Sequence, residues 1–220
     1  MSELKLIEKP GIRSNIEKAI TELRQIGLMF HTRGWCLGTS GNFSAVVGRD
    51  PLLIVVTASG KDKSALTEND FAVVDEYGMA VTADGARPSA EALLHATVAR
   101  KTGAGAVLHT HSVWSTILSD WWYDKGHLEI SGFEMLKGLE GITTHDTTVR
   151  LPIFENTQSI PDLATLVEKR LDDSDDPMQY AYLIKRHGMH TWGADLATAR
   201  RHVEILEFLY EAVGRLQGGK

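Results

Sequence analysis

Apolar positions between residues 14 and 30 recur at helical spacing: Ile16, Ile20, Leu23, Gly27 and Phe30 lie along one stripe. Ser14 and Glu17 stand at capping-box spacing ahead of that stripe, and Gly34 offers a stop. The period then changes. Short runs at 42–47 (NFSAVV), 52–57 (LLIVVT) and 71–75 (FAVVD), separated by Gly, Pro, Asp and Ser, predict strands. A helix is expected over about 89–101, followed by a buried strand within GAVLHTHS (105–112). The segment 112–122 reads as a helix, and HLEIS (127–131) and VRLPIF (149–154) read as strands. A helix over 161–171 carries Pro161 in its first turn. Residues 180–193 read as a strand pair around Gly188, and an amphipathic helix is expected over about 195–216.

This order predicts an α/β chain in which helices cover a central mixed sheet. The strands come in hairpin-like clusters with few βαβ steps, so a purely parallel sheet is not expected. No repeat or low-complexity tract divides the chain. DDSDDPMQ (172–179) reads as a solvated loop, leaving one domain over 1–220.

Composition narrows the function classes. Hydrophobic residues make up 43% and charged residues 24% of the chain, as in ordinary globular proteins. No apolar run reaches the ~20 residues of a membrane span, and the N-terminus has no apolar signal core, so no membrane role is expected. The single cysteine, Cys36, excludes an internal disulfide and fits a cytoplasmic protein. A net charge of −6 argues against a nucleic-acid partner. It leaves room for a phosphorylated small molecule, which a few local donors can hold.

Several motifs carry candidate chemistry. His109 and His111 stand two apart in a predicted strand, where both rings share one face and a divalent metal is the usual reason for the pairing. His187, just before Gly188, is the expected third ligand, with His190 expected outside the ligand set. Three protein ligands leave the open position of a catalytic zinc site, and one cysteine excludes a thiolate-rich structural one. GTSGNFS (38–44) and VTASGKDKS (56–64) can form anion nests, in which Asn42, Ser59 and Gly60 are candidates and Lys63 a charged helper. Ser89 adds a candidate phosphate contact, and Glu91 either caps the following helix or lies near the metal. Glu134, between Phe133 and Met135, either points outward or sits in apolar company with a raised pKa suited to acid/base work. Trp114, Trp121, Trp122 and Phe133 are either core or an apolar wall for a substrate.

The ordered set GTSGNFS, TASGKDKS, PSAE, HTHS and RHG resembles the class II aldolase/adducin-like family over about residues 14–212. The resemblance implies a three-layer α/β/α sandwich with a mixed, mostly antiparallel sheet. It places His109, His111 and His187 on zinc-ligand positions, with one Zn2+ per subunit. Asn42, Ser59, Gly60 and Ser89 fall on phosphate-binding positions, and Glu91 falls where the aldolases keep a catalytic glutamate. Ala90 departs from the second serine of the aldolase PSSE pattern. FEMLKG, LPIFENT and HTWG resemble members that dehydrate a ketose phosphate, and there Glu134 falls on the acid/base position. The implied activity is a metal-dependent lyase acting on a small sugar phosphate, with a zinc aldolase or epimerase as the alternative. A non-catalytic interaction module would need neither the three histidines nor the carboxylate. The implied assembly is a homotetramer whose sites lie near subunit interfaces.

Overall fold

The computed structural model describes residues 7–82 and 85–218. Helix α1 spans Pro10–Thr32. It begins one turn before the Ser14–Glu17 pair, because Pro10 suits a first turn whose N–H groups have no partner. Ser14 therefore lies inside the helix, and Glu17 pairs with Arg13 instead.

Strands β1 (Asn42–Arg49), β2 (Leu52–Thr57) and β3 (Phe71–Val74) follow. Helix α2 (Ala92–Thr102) starts later than its spacing suggests: Ser89 and Ala90 form a turn and Glu91 occupies the N-cap. Then come β4 (Ala106–Thr110), α3 (Val113–Trp121), β5 (His127–Ser131), β6 (Thr148–Phe154), α4 (Ile160–Leu171), β7 (Ala181–Ile184), β8 (Gly188–Gly193) and α5 (Leu196–Gly218). The eight strands form one sheet in the order β3-β2-β1-β4-β8-β7-β6-β5. Every pairing is antiparallel except β6 with β7.

Alternation along the strands divides the core. Phe43, Ala45, Leu108 and Met189 face one side and pack with residues of α1, α3 and α5. Val107, Tyr182, Ile184 and Trp192 face the other and pack with residues of α2 and α4. The sheet is thus the middle layer of an α/β/α sandwich, mixed and mostly antiparallel, as the sequence implied.

Register then assembles a polar row on the α2/α4 side. Asn42 pairs with His109, His109 with His190, and His190 with Tyr182, across β1, β4, β8 and β7. Two glycines keep these strands close. A Cβ on Gly188 would run into the Thr110 carbonyl, and one on Gly41, at φ +73, would lie 2.7 Å from the His109 carbonyl.

Candidate metal centre and cleft

His109 comes from the end of β4 and is fully buried. His111 follows that strand, its backbone N–H donating to the Trp35 carbonyl at 2.8 Å. His187 lies in the turn between β7 and β8, which α3 braces. Ser119 Oγ accepts from the Arg186 N–H at 2.9 Å, Asp120 pairs with the Arg186 guanidinium, and Thr116 Oγ1 donates to the His187 carbonyl at 3.2 Å.

The three rings converge. His111 Nε2 lies 2.7 Å from His109 Nε2 and 3.1 Å from His187 Nε2. Burial drives the His109 pKa well below its ordinary value and that of His111 down to about 2, so both rings are neutral at physiological pH. His109 Nδ1 donates to the Met189 carbonyl at 2.9 Å, which leaves its Nε2 a bare lone pair. Protons alone cannot satisfy the set, because His111 Nε2 can carry one hydrogen at most and faces two nitrogens. One divalent cation accepts all three lone pairs, and the donor set is that of a catalytic zinc site. The residues present fit such an ion.

Glu91 stands beside this group, Oε2 3.3 Å from His109 Nε2 and Oε1 3.8 Å from His187 Nε2. Of the two roles left open for Glu91, the structure favours the second: Glu91 occupies the N-cap position of α2, but its side chain makes no capping hydrogen bond and turns to the trio. Glu91, His109 and His190 also lie close together. His190 is stacked between His109 (centroids 3.9 Å, 15°) and Tyr182 (4.8 Å, 9°). In-plane lone pairs of parallel rings do not converge, so His190 supports the His109 ring and is no ligand. Its burial keeps it neutral and adds no charge beside the trio.

The trio opens into a cleft of about 330 Å³. His111, His187 and Glu91 line it with Asn42, Ser59, Gly60, Lys63 and Ser89 from the two glycine-rich loops and the turn before α2. Lys63 is almost wholly buried, and its ammonium ties those loops by donating to the carbonyls of Thr39 (3.1 Å) and Lys61 (2.7 Å). Asn42 Nδ2 donates to Glu91 Oε2 at 2.7 Å, leaving its second hydrogen for a ligand. Asn156, Thr157 and Gln158, after β6, close the far side with Ile160, Leu163 and Ile184. Sequence reasoning used ENT only as a family mark; an Asn-Thr-Gln run directly after a strand is the signal that could have placed it in the site.

For two sets of residues left with alternatives, the structure selects one. Trp114, Trp121, Trp122 and Phe133 do not line the cleft; Trp114 packs on Gly214, and Trp121 is half exposed. Glu134 is not in apolar company. It opens a 3-10 turn (Glu134–Gly138), lies outside the cleft lining, and its carboxylate pairs with Lys137 at 2.7 Å and with His145 at 3.4 Å. The hydrogen bond from Lys137 lowers its pKa, as suits the outward alternative. Consecutive side chains splay apart on such a turn, so Phe133 and Met135 do not enclose it.

Residues 21–213 match the family described as class II aldolase and adducin N-terminal domain. The methylthioribulose-1-phosphate dehydratase of Sorangium cellulosum is 43% identical, over 94% of this chain and 95% of that protein. The protein of the same name from Methylococcus capsulatus is 42% identical, over 94% and 98%. Among solved structures, the L-fuculose-1-phosphate aldolase of Thermus thermophilus superposes with a TM-score of 0.70 at 25% identity, covering 94% of this chain and 99% of its own. A match over most of the chain, on the sandwich and loops just described, makes this protein a member of the class II aldolase and adducin family.

Proposed function

We propose that the protein is a zinc-dependent lyase of methionine salvage that dehydrates 5-methylthioribulose 1-phosphate to 2,3-diketo-5-methylthiopentyl 1-phosphate. The observation that carries this reading is the meeting of three imidazole Nε2 atoms at the floor of a cleft rimmed by Ser59, Gly60 and Ser89. The identity of about two-fifths to dehydratases, over nearly the whole chain, selects this reaction among those the family performs.

His109, His111 and His187 would hold one Zn2+ per subunit, which when bound supplies Lewis acidity at the ketose carbonyl and its neighbouring hydroxyl. The glycine-rich loops, with Asn42, Lys63 and Ser89, hold the phosphate and so fix which carbon faces the carboxylates. Ile160, Leu163 and Ile184 supply the apolar wall within this chain for the methylthio end. A carboxylate removes the C3 proton. The C4 hydroxyl departs with a proton as water, and the resulting enol tautomerises to the 2,3-diketone. No oxidant or reductant is needed.

Glu134 is the proposed acid/base. Its exposed carboxylate serves the cleft of a neighbouring copy, in a cytoplasmic homotetramer whose sites lie at subunit interfaces. Glu91 is the resident carboxylate beside the trio. No helix among the described residues is long and apolar enough to cross a membrane.

Glu91 beside the metal ligands also keeps a second reading open, a zinc aldolase or epimerase on another sugar phosphate. Incubation with methylthioribulose 1-phosphate and, separately, with fuculose and ribulose phosphates decides between them. The expected product is the first substrate less one water; C–C cleavage or epimerisation of the others, with the first unchanged, would overturn the proposal.

A further inference from the structure

From Glu91 and Asn42 at the cleft wall inward to His95 and Ser44, four side chains form one continuous hydrogen-bonded line. Asn42 Nδ2 donates to Glu91 Oε2 at 2.7 Å. Asn42 Oδ1 meets His95 Nε2, and His95 Nδ1 lies 2.7 Å from Ser44 Oγ. Asn42, Ser44 and His95 are all buried, the last completely. His95 lies four residues after Glu91, so one helical turn brings it under the same cleft.

Donor arithmetic gives the line a direction. Asn42 turns its nitrogen to Glu91 and its oxygen to His95. That oxygen needs a donor, which makes His95 the Nε2–H tautomer. Burial lowers the His95 pKa to about 4, so the ring is neutral and its Nδ1 is a lone pair. The Ser44 hydroxyl then donates to Nδ1. In the reverse direction Glu91 would have to carry a proton, Asn42 would be flipped, and Ser44 would turn to the Val107 carbonyl, 3.3 Å away.

We propose that His95 is a positioning residue: by donating to Asn42 it locks the amide with its nitrogen toward Glu91, and so holds that carboxylate aimed at the histidine trio. The metal half of the test rests on the zinc reading given above; the tautomer half does not. Without His95 the Asn42 amide is free to flip, and Glu91 loses its only side-chain donor among the described residues.

The tautomer is read directly by 15N–1H correlation of the imidazoles in the intact protein at neutral pH. The expected pattern for His95 is a protonated Nε2 and a bare Nδ1; a protonated Nδ1 overturns the inference. The coupling is read from zinc release to a chelator in a double-mutant cycle. His95→Phe keeps a ring of similar size without its nitrogens. It is expected to speed zinc loss about tenfold in the native background, the lower end for a lost supporting partner. In a Glu91→Gln background the same change is expected to alter release less than about twofold, because its effect passes through Glu91. Equal factors in both backgrounds, or none in either, would show packing alone and overturn the proposal. Should His95→Phe not fold, Asn42→Asp, which sets a second carboxylate against Glu91, replaces it in the cycle with the same expectation. Failure to dehydrate the proposed substrate leaves these results standing, so the two claims fail separately.

Discussion

The cleft beside the centre of the sheet and the turn after edge strand β5 each carry one glutamate with a candidate role, and the two are built in opposite ways. Glu91 is buried, takes a hydrogen bond from Asn42, and faces three histidines fixed by strand register and by a braced turn. Glu134 is exposed and held by exposed partners, Lys137 and His145, on a short turn. The lesson concerns preorganisation. The central region is enclosed by buried partners within one chain, whereas Glu134 meets only exposed ones.

The sharpest way to break that contrast is at its centre. His109→Ala is expected to lose zinc retention and turnover together. The loss should exceed about 100-fold, since even a supporting partner of a ligand is worth about 10- to 100-fold. Metal analysis and steady-state kinetics on the same preparation check this; zinc retained at full stoichiometry would remove His109 from the site.

Glu134→Gln should behave in the opposite manner: full zinc, unchanged thermal stability, and turnover reduced by about 100-fold or more, as for loss of a general acid/base. Co-expressing this variant with His109→Ala tests whether the carboxylate acts across an interface. Mixed assemblies that regain turnover support the proposal, and mixtures as inactive as either parent argue against it.

Glu207, buried in α5 behind β4, sharpens the comparison from the stability side. Its carboxyl accepts from Thr110 Oγ1 at 2.8 Å, and burial pushes its pKa from 4.5 up to about 7. The folded chain keeps this proton after the unfolded chain has released it, so stability falls as pH rises between those values. The full window is worth about 3 kcal/mol. Glu207→Gln should flatten that part of the stability-pH curve, as read by chemical denaturation at several pH values. A curve as steep as the native one would assign the dependence elsewhere.

The smallest expected effect is at the cleft rim. Lys63→Met keeps the buried stem but removes the ammonium that joins the Thr39 and Lys61 carbonyls. KM for the sugar phosphate should rise about tenfold, the loss of one charge-assisted contact, with kcat little changed. A fall in kcat with constant KM would contradict a binding role.

Much of this was legible in the chain. Short runs bounded by Gly, Pro, Asp and Ser placed β1 and β2 within two residues, and the HTHS and RHG motifs supplied all three converging histidines. What escaped depends on pairing between distant segments. The row Asn42–His109–His190–Tyr182 exists only because four strands adopt one register, which no local pattern records. The start of α1 was misplaced because Ser14–Glu17 imitates a cap while Pro10 begins the helix. Glu134 was left between two environments for a related reason: sequence neighbours such as Phe133 and Met135 do not define an environment when a 3-10 turn sends them in different directions.

The central claim is tested most directly by X-ray absorption at the zinc edge of the purified, zinc-loaded protein. The account predicts one ion per chain with three imidazole nitrogens at about 2.0–2.1 Å and oxygen completing the shell. A spectrum showing one imidazole or none, or sulfur in the coordination sphere, would contradict it.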